Sequence, residues 1–148
     1  MTPEQMRQLL KMSNKKPAPR SWSDLASKFN IVSVQLVNDQ RIARSYVDHG
    51  ENTIYVNEKS EFWMNYSKPE FGNAKTPEES IVLKFLHELG HVACGHHLLP
   101  SAQFDSSGQT IATPAVEKKE AEAWQFVREF RYIQAFTFTQ LLKDFQSL

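Results

Sequence analysis

The hydrophobic residues near the N-terminus recur at helical spacing and predict two short helices. Residues 2–5 read Thr-Pro-Glu-Gln, in which a threonine cap, a proline in the first turn and a glutamine able to answer the cap are typical of a helix start. This helix should end before the basic, proline-containing connector at residues 14–20. A second short helix is predicted from Ser21 to Asn30, and its apolar stripe consists of Trp22, Leu25, Ala26 and Phe29.

The apolar residues then recur at every second position, which predicts strands. Residues 32–36 alternate between apolar and polar, residues 41–47 are predicted to form a return strand, and residues 53–57 follow a second turn. Three short strands joined by tight turns predict a small antiparallel meander. Residues 58–75 contain aromatic side chains but no regular period, and we predict a packed loop there.

Two long helices are predicted in the second half of the chain. The first should start at Thr76-Pro77, where a cap, an N1 proline and a capping-box glutamate coincide, and should stop near Gly95. After a loop over residues 98–113, the second should run from Thr113-Pro114 towards Ala135, with a short amphipathic helix behind it. The whole pattern predicts an α+β fold with about three antiparallel strands, two long helices and a short helix at each end.

Composition and charge narrow the classes of function. A chain of 148 residues suits one domain, with an N-terminal helix and basic arm over residues 1–20 and a core over residues 21–148. Seventeen basic and seventeen acidic residues give zero formal charge, which argues against a nucleic-acid-binding protein driven by bulk charge. We see no secretory signal pattern, no apolar run of membrane-spanning length, and one cysteine, Cys94, which cannot form an internal disulfide. We therefore expect a cytoplasmic protein without membrane contacts.

The first long helix contains the sequence His87-Glu88-Leu89-Gly90-His91. Two histidines four positions apart lie on one helix face, about 5–6 Å apart at their β-carbons, so that both imidazoles can reach one Zn²⁺ at ~2.0–2.1 Å. Glu88 is rotated ~100° from His87, which suits a residue that touches a water on the metal. The ion would lower the pKa of that water to about 7, and the glutamate would accept its proton during attack on a carbonyl. This arrangement indicates peptide hydrolysis.

The alternative interpretation is that the two histidines lie on a polar helix face, form hydrogen bonds to neighbouring groups and bind no metal ion. The surroundings argue against it, because the motif lies in a well-capped amphipathic helix and interrupts an apolar stripe. Uncompensated charges in such a stripe would cost free energy.

A catalytic zinc site needs a third protein ligand, and the metzincin pattern does not supply it. That pattern requires a glycine three residues after His91 and a histidine six residues after it. His97 fits, but position 94 is a cysteine, and no methionine follows Met64. We therefore expect His96 and His97 to be surface residues beyond the helix end, and Cys94 to be a buried, inert thiol.

An acid on the following helix is the other source of a third ligand. Glu117 and Glu120 share a helix face, whereas Glu122 lies about 200° around the helix from Glu120. Nearby apolar residues orient the Glu120 side inward, namely Val116, Ala123, Val127 and Phe130. Glu120 is therefore the predicted third ligand, with Glu117 in reserve.

These motifs resemble the ImmA/IrrE family of small zinc metallopeptidases, within the wider gluzincin type. The resemblance rests on Ile-Tyr-Val-Asn at 54–57, His-Glu-Leu-Gly-His at 87–91 and Glu-Ala-Glu-Ala-Trp-Gln-Phe at 120–126, and it covers roughly residues 50–127. The pairing of the second motif with the third is what indicates this family, because His-Glu-x-x-His alone is shared by many metallopeptidases.

The resemblance implies both a fold and a set of roles. The implied fold is a small antiparallel sheet packed on two central helices. His87, His91 and Glu120 would hold zinc, and Glu88 would be the catalytic base. Family members typically act on a helix-turn-helix repressor, so the implied partner is a regulatory protein such as a DNA-binding repressor or antitoxin.

One position departs from the family pattern. Four residues beyond the third ligand the family usually has Asp or Asn, which accepts a hydrogen bond from a ligating histidine, but this chain has Trp124. An indole N–H is only a donor, so a backbone carbonyl or Asp105 would have to orient His87 instead. Loss of such a partner commonly costs ~10–100-fold in metal affinity or activity.

The sequence therefore favours a zinc metallopeptidase that cleaves a specific regulatory protein with Glu88 as the base. The alternative is a metal-stabilised protein-binding module with weak or no proteolysis, which Trp124 keeps open. A nucleic-acid-binding function would rest on the basic residues between 7 and 20 alone, and the neutral overall charge disfavours it.

Substrate capture is predicted at an exposed sheet edge, for which we expect residues 53–57 to pair with an extended peptide. The residue that polarises the scissile carbonyl is left open among Tyr46, Tyr55, Tyr66, His96 and His97.

Overall fold

The computed structural model describes residues 2–13, 22–38, 45–58, 77–96, 106, 113–133 and 135–146. Helices and strands occur within these ranges in the order α1 (Pro3–Ser13), α2 (Trp22–Ser27), β1 (Ser33–Val37), β2 (Tyr46–Asp48), β3 (Thr53–Asn57), α3 (Pro77–Ala93), α4 (Pro114–Ile133) and α5 (Ala135–Gln146). The predicted α+β class is confirmed. Nearly all of the loops predicted over 58–75 and 98–113 lie outside the described residues.

The helix ends follow the local signals in the sequence. The backbone N–H of Thr2 donates to Gln5 Oε1 at 2.8 Å, and the N–H of Gln5 donates to Thr2 Oγ1 at 3.2 Å, which is a reciprocal capping box. Thr113 caps α4 by accepting from the N–H of Val116 at 3.2 Å. At the end of α3, Gly95 takes the left-handed conformation, with φ 69°, that glycine adopts without a steric penalty.

The sheet is mixed, so the predicted antiparallel meander is wrong. Its strand order is β1-β3-β2, in which β3 pairs antiparallel with β2 and parallel with β1. Strand β2 has three residues, whereas β1 and β3 have five each, and all five residues of β1 find partners along β3. Pairing β1 with β2 would leave backbone groups of β1 without partners, which is costly wherever they are buried. The central position also suits β3, because four of its five residues are buried.

Helix α3 lies against the sheet and against both later helices. It contacts β2, β3, α4 and α5, and its apolar side chains form the middle of the core. The buried Lys84 of α3 donates to the backbone carbonyl of Asn57 at 3.1 Å, which joins the helix to the end of β3. The fully buried large side chains of the core are Phe85, Phe126, Phe130, Met6, Leu25, Ile54, Leu83, Leu86, Leu89, Leu141 and Val56.

Helix α1 packs on α4 through an ion pair. The guanidinium of Arg7 binds the carboxylate of Glu129, whose side chain is 3% exposed and also accepts from Gln125 Nε2 at 2.8 Å. Arg7 lies in the predicted N-terminal helix, and this contact joins that helix to the core.

Among the described helices, none combines the length and the apolar character needed to cross a membrane. The cytoplasmic location and the single-domain organisation expected from the sequence stay predictions.

Candidate metal centre

The two histidines of α3 converge on one carboxylate of α4. The Nε2 atom of His87 lies 2.8 Å from Oε2 of Glu120, and the Nε2 atom of His91 lies 3.1 Å from Oε1 of the same side chain. The centroids of the two imidazole rings are 4.7 Å apart, as expected for residues one helical turn apart. The structure thus brings together the three residues that the sequence analysis selected as ligands, and it leaves the reserve residue Glu117 exposed on the same helix.

A glycine lets α4 come close enough to place Glu120. A β-carbon built on Gly90 would lie 2.9 Å from the backbone oxygen of Ala123 and 3.2 Å from the β-carbon of Phe126. No side chain fits at Gly90 without displacing α4. Because Ala123 lies less than one turn after Glu120, the contact at Gly90 sets how far the carboxylate is from the two imidazoles.

The three side chains are close enough together to hold one metal ion. One ligand atom each from His87, His91 and Glu120 all lie within 4.8 Å of one another, and the group could hold a metal ion. Two ligand atoms bound to tetrahedral zinc at about 2.0–2.1 Å are roughly 3.3 Å apart. The nitrogen–oxygen contacts of 2.8 and 3.1 Å go to different oxygens of Glu120, so they are hydrogen-bond contacts and not distances between three zinc ligands.

Charge holds the metal-free group together. Burial lowers the pKa of His87, but the carboxylates of Glu120 and Glu88 more than reverse this and raise it to about 10. Burial likewise raises the pKa of Glu120, whereas the charge of His87 and hydrogen bonds from His87 and His91 hold it well below its usual range. These shifts favour an imidazolium at His87 and a carboxylate at Glu120, and a metal ion would replace the proton between them.

The carboxylate of Glu88 borders the same group. Its Oε1 lies 3.6 Å from Nδ1 of His87, which is beyond hydrogen-bond distance, and its side chain is 12% exposed. This contact is on the Nδ1 side of His87, whereas Nε2 of the same ring faces Glu120, so the role of Glu88 as a base stays a prediction.

Trp124 holds His87 by its ring face. The indole stacks on the imidazole with centroids 4.4 Å apart and an interplanar angle of 18°, and the side chain is 2% exposed. The tryptophan accepts no hydrogen bond from a ligand, but stacking restrains the orientation of the His87 ring. Asp105, the alternative partner considered for His87, lies outside the described residues.

His96 is buried, so its predicted place on the surface is wrong. The backbone turn at Gly95 returns the chain over the end of α3, and Nδ1 of His96 comes within 2.7 Å of Nδ1 of His91. Burial and the neighbouring His91 lower the pKa of His96 to about 4, although Glu122 opposes the shift. Sequence reasoning missed this contact, and the one signal for it was a helix-ending glycine directly before a histidine.

A second group of potential metal ligands, Cys94, His96 and Glu122, lies beside the first. The Nε2 atom of His96 is 3.4 Å from Oε1 of Glu122. Burial raises the pKa of the Cys94 thiol to about 11. The residue is half-buried rather than buried as predicted, and its inertness stays a prediction.

The predicted capture strand is not an edge. Residues 53–57 form the central strand β3, which pairs with β1 along its whole length and with β2 over residues 53–55, so the prediction that this strand is an exposed edge is wrong. Tyr46 and Tyr55 stack on each other at 4.9 Å, and Tyr55 donates to Glu51 Oε2 at 2.8 Å. Tyr66 and His97 lie outside the described residues.

No protein-family model, curated protein or solved structure matches the chain.

Proposed function

We propose that the protein is a zinc metallopeptidase of the ImmA/IrrE type that cleaves a specific regulatory protein. The observation that carries the proposal is the convergence of the Nε2 atoms of His87 and His91 on the two oxygens of Glu120, with Glu88 next to His87 on the same helix. Two imidazoles and one carboxylate form a donor set typical of catalytic zinc, which leaves a coordination position open.

The three ligands come from two helices whose separation is set by a backbone contact. His87 and His91 are held on α3, and Glu120 is held on α4 by the close approach at Gly90. When bound, zinc supplies Lewis acidity, which lowers the pKa of a coordinated water to about 7 and polarises a substrate carbonyl.

Glu88 performs the proton transfers. Its carboxylate accepts a proton from the attacking water and passes that proton to the amine that leaves when the peptide bond breaks.

The substrate is a specific regulatory protein, and the family resemblance favours a helix-turn-helix repressor or an antitoxin. With a neutral overall charge, the protein is not expected to bind nucleic acid directly. The partner would be recognised as a protein surface and cut at one or a few bonds.

The test compares wild-type protein with Glu88→Gln, incubated with the repressor encoded beside its gene, with and without a chelator, and read by mass spectrometry. We expect wild-type to cut the repressor only with zinc, and Glu88→Gln to retain one zinc per chain but lose cleavage by at least ~100-fold. Glu117→Gln is the matched control, since Glu117 is an exposed acid one turn before Glu120. Normal cleavage by Glu88→Gln would overturn the assigned base.

The same experiment distinguishes the peptidase from the second candidate function, a protein-binding module. Trp124 stands where a hydrogen-bond acceptor is usual and stacks on His87, which suits a metal-stabilised module that binds its partner intact. For that function, wild-type protein would hold the uncut repressor, and chelation would release it.

A further inference from the structure

His91 faces a second histidine on the side of its ring opposite the candidate metal position. Its Nε2 points to Glu120 at 3.1 Å, and its Nδ1 lies 2.7 Å from Nδ1 of His96. His96 is 7% exposed, and within the described residues its Nε2 makes no hydrogen bond, although Oε1 of Glu122 lies 3.4 Å away. Three side chains thus form a row that leads away from the candidate metal centre.

We propose that His96 is a positioning residue for the metal ligand His91, and that Glu122 positions His96 in turn. The inference rests on the metal site of the proposed function. It concerns the hydrogen bond that fixes the ring orientation and tautomer of a ligating histidine, a role in which the partner is commonly a carboxylate, a carbonyl or a water.

The contact between the two Nδ1 atoms determines where each proton lies. A hydrogen bond of 2.7 Å between two ring nitrogens holds one proton, so one nitrogen donates and the other accepts. When Nε2 of His91 binds the metal, that nitrogen carries no proton, and the proton of the neutral ring is on Nδ1. Nδ1 of His96 must then accept, which places the proton of His96 on Nε2.

The protonated Nε2 of His96 has a suitable partner. It points towards the carboxylate of Glu122 across 3.4 Å, and a closure of about 0.5 Å would make a charge-assisted hydrogen bond. The direction of donation is then the same along the row, from His91 to His96 to Glu122. An acceptor for a metal-ligating histidine is thereby provided on the side of His91, while Trp124 stacks on His87.

This arrangement argues against a second ion on Cys94, His96 and Glu122 while the first site is filled. Such an ion would need Nε2 of His96 without its proton, and the proton would have to move to Nδ1. Nδ1 of His91 would then have to accept while Nε2 of His91 binds the first metal, which leaves the His91 ring with no proton at all. The two ions would therefore need incompatible proton positions on His91 and His96, so both sites cannot be filled at once.

The positioning role of His96 is tested by measuring the zinc affinity of two matched variants in competition with a chelator. His96→Leu removes the acceptor, and we expect zinc to bind roughly 10–100-fold more weakly. In His96→Asn, Oδ1 of the amide can stand in for Nδ1, and we expect affinity within about threefold of wild-type. Equal affinity in His96→Leu, or no rescue by Asn, would overturn the positioning role.

Nitrogen-15 NMR of zinc-loaded wild-type protein tests the proton positions directly, and it does not require a variant to fold. We expect a proton on Nδ1 of His91, a proton on Nε2 of His96, and a coupling across the hydrogen bond between the rings. An unprotonated Nε2 on His96, or a second zinc that is lost in Cys94→Ser, would contradict the inference.

The two proposals fail in different ways. Zinc binding with the expected proton positions but without cleavage would overturn the peptidase and leave the role of His96 intact. Cleavage with unchanged affinity in His96→Leu would do the reverse, and a wild-type chain that binds no zinc would overturn both.

Discussion

The close contact between α3 and α4 at Gly90 makes Gly90→Ala a sharp test of how the third ligand is positioned. The added methyl group would lie 2.9 Å from the backbone oxygen of Ala123, whereas ordinary contacts start near 3.4 Å. The nearest atoms include backbone, which cannot turn aside as a flexible side chain can. The two helices must therefore separate by about 0.5 Å at this point.

Two effects on stability oppose each other in this variant. Overpacking a helix interface destabilises the fold by ~1–3 kcal/mol, whereas replacing glycine by alanine inside a helix stabilises the helix by ~1 kcal/mol. Metal-free Gly90→Ala should thus lose up to about 2 kcal/mol, or a Tm decrease of up to roughly 8 °C for a domain of this size.

The effect on metal binding is separate from the effect on folding. A displacement of about 0.5 Å exceeds the ~0.2 Å within which ligand distances must be met, and it reaches Glu120 because Ala123 lies in the next turn of the same helix. We expect zinc affinity to fall at least about tenfold, which corresponds to ~1.4 kcal/mol.

The assay is chelator competition for zinc affinity together with thermal unfolding in excess chelator. Gly50→Ala is the matched control, because a β-carbon there would meet only Asp48 Oδ1, at 3.3 Å, in the turn between β2 and β3. A Gly90→Ala protein with raised Tm and unchanged zinc affinity would refute the claim that this contact positions Glu120.

Three further predictions concern the charges and the ring around the metal group. Zinc binding at pH 7 should release about one proton, because the pKa of His87 is raised to about 10, and zinc affinity should increase by up to tenfold per pH unit around neutral pH. Calorimetry in buffers of different ionisation enthalpy measures the released protons, and binding without proton release would contradict this prediction. In protein without zinc, the raised pKa of His87 contributes stability below pH 6.5 that is lost as the pH rises towards about 10, and the lowered pKa of Glu120 contributes stability above pH 4.5 that is lost on acidification. Denaturant unfolding should therefore show the full contribution of this pair between about pH 4.5 and 6.5. A contribution that grows above pH 6.5 would be inconsistent with the pair. Trp124→Phe should keep the stacking on His87 and bind zinc with an affinity within about threefold of wild-type. Trp124→Ala should lose ~3–5 kcal/mol of folding free energy in urea titrations, and a much smaller loss would argue against the packing role of Trp124.

The metal group was predictable because its determinants are local. His87 and His91 lie four positions apart in a helix that the sequence marks at both ends, and helical rotation places Glu120 on a different face from Glu122. Buried Ala123 and Val127 confirm the inward face that the apolar pattern indicated. These inferences need only the helical period.

The sheet order and the surroundings of the ligands were not predictable in the same way. Strand pairing depends on which of several short segments find partners of equal length, and alternation within one strand does not report it. The contact between His96 and His91 depends on the backbone turn at Gly95, and the stacking of Trp124 depends on how α4 crosses α3. Both are tertiary contacts, which residue spacing along one helix does not determine.

Anomalous diffraction at the zinc edge, from crystals of the zinc-loaded chain, shows which side chains bind the ion. We expect one zinc per chain, bound by Nε2 of His87, Nε2 of His91 and the carboxylate of Glu120. A zinc peak held only by Cys94, His96 and Glu122, or a Glu120 side chain turned away from an ion on the two histidines, would contradict the account.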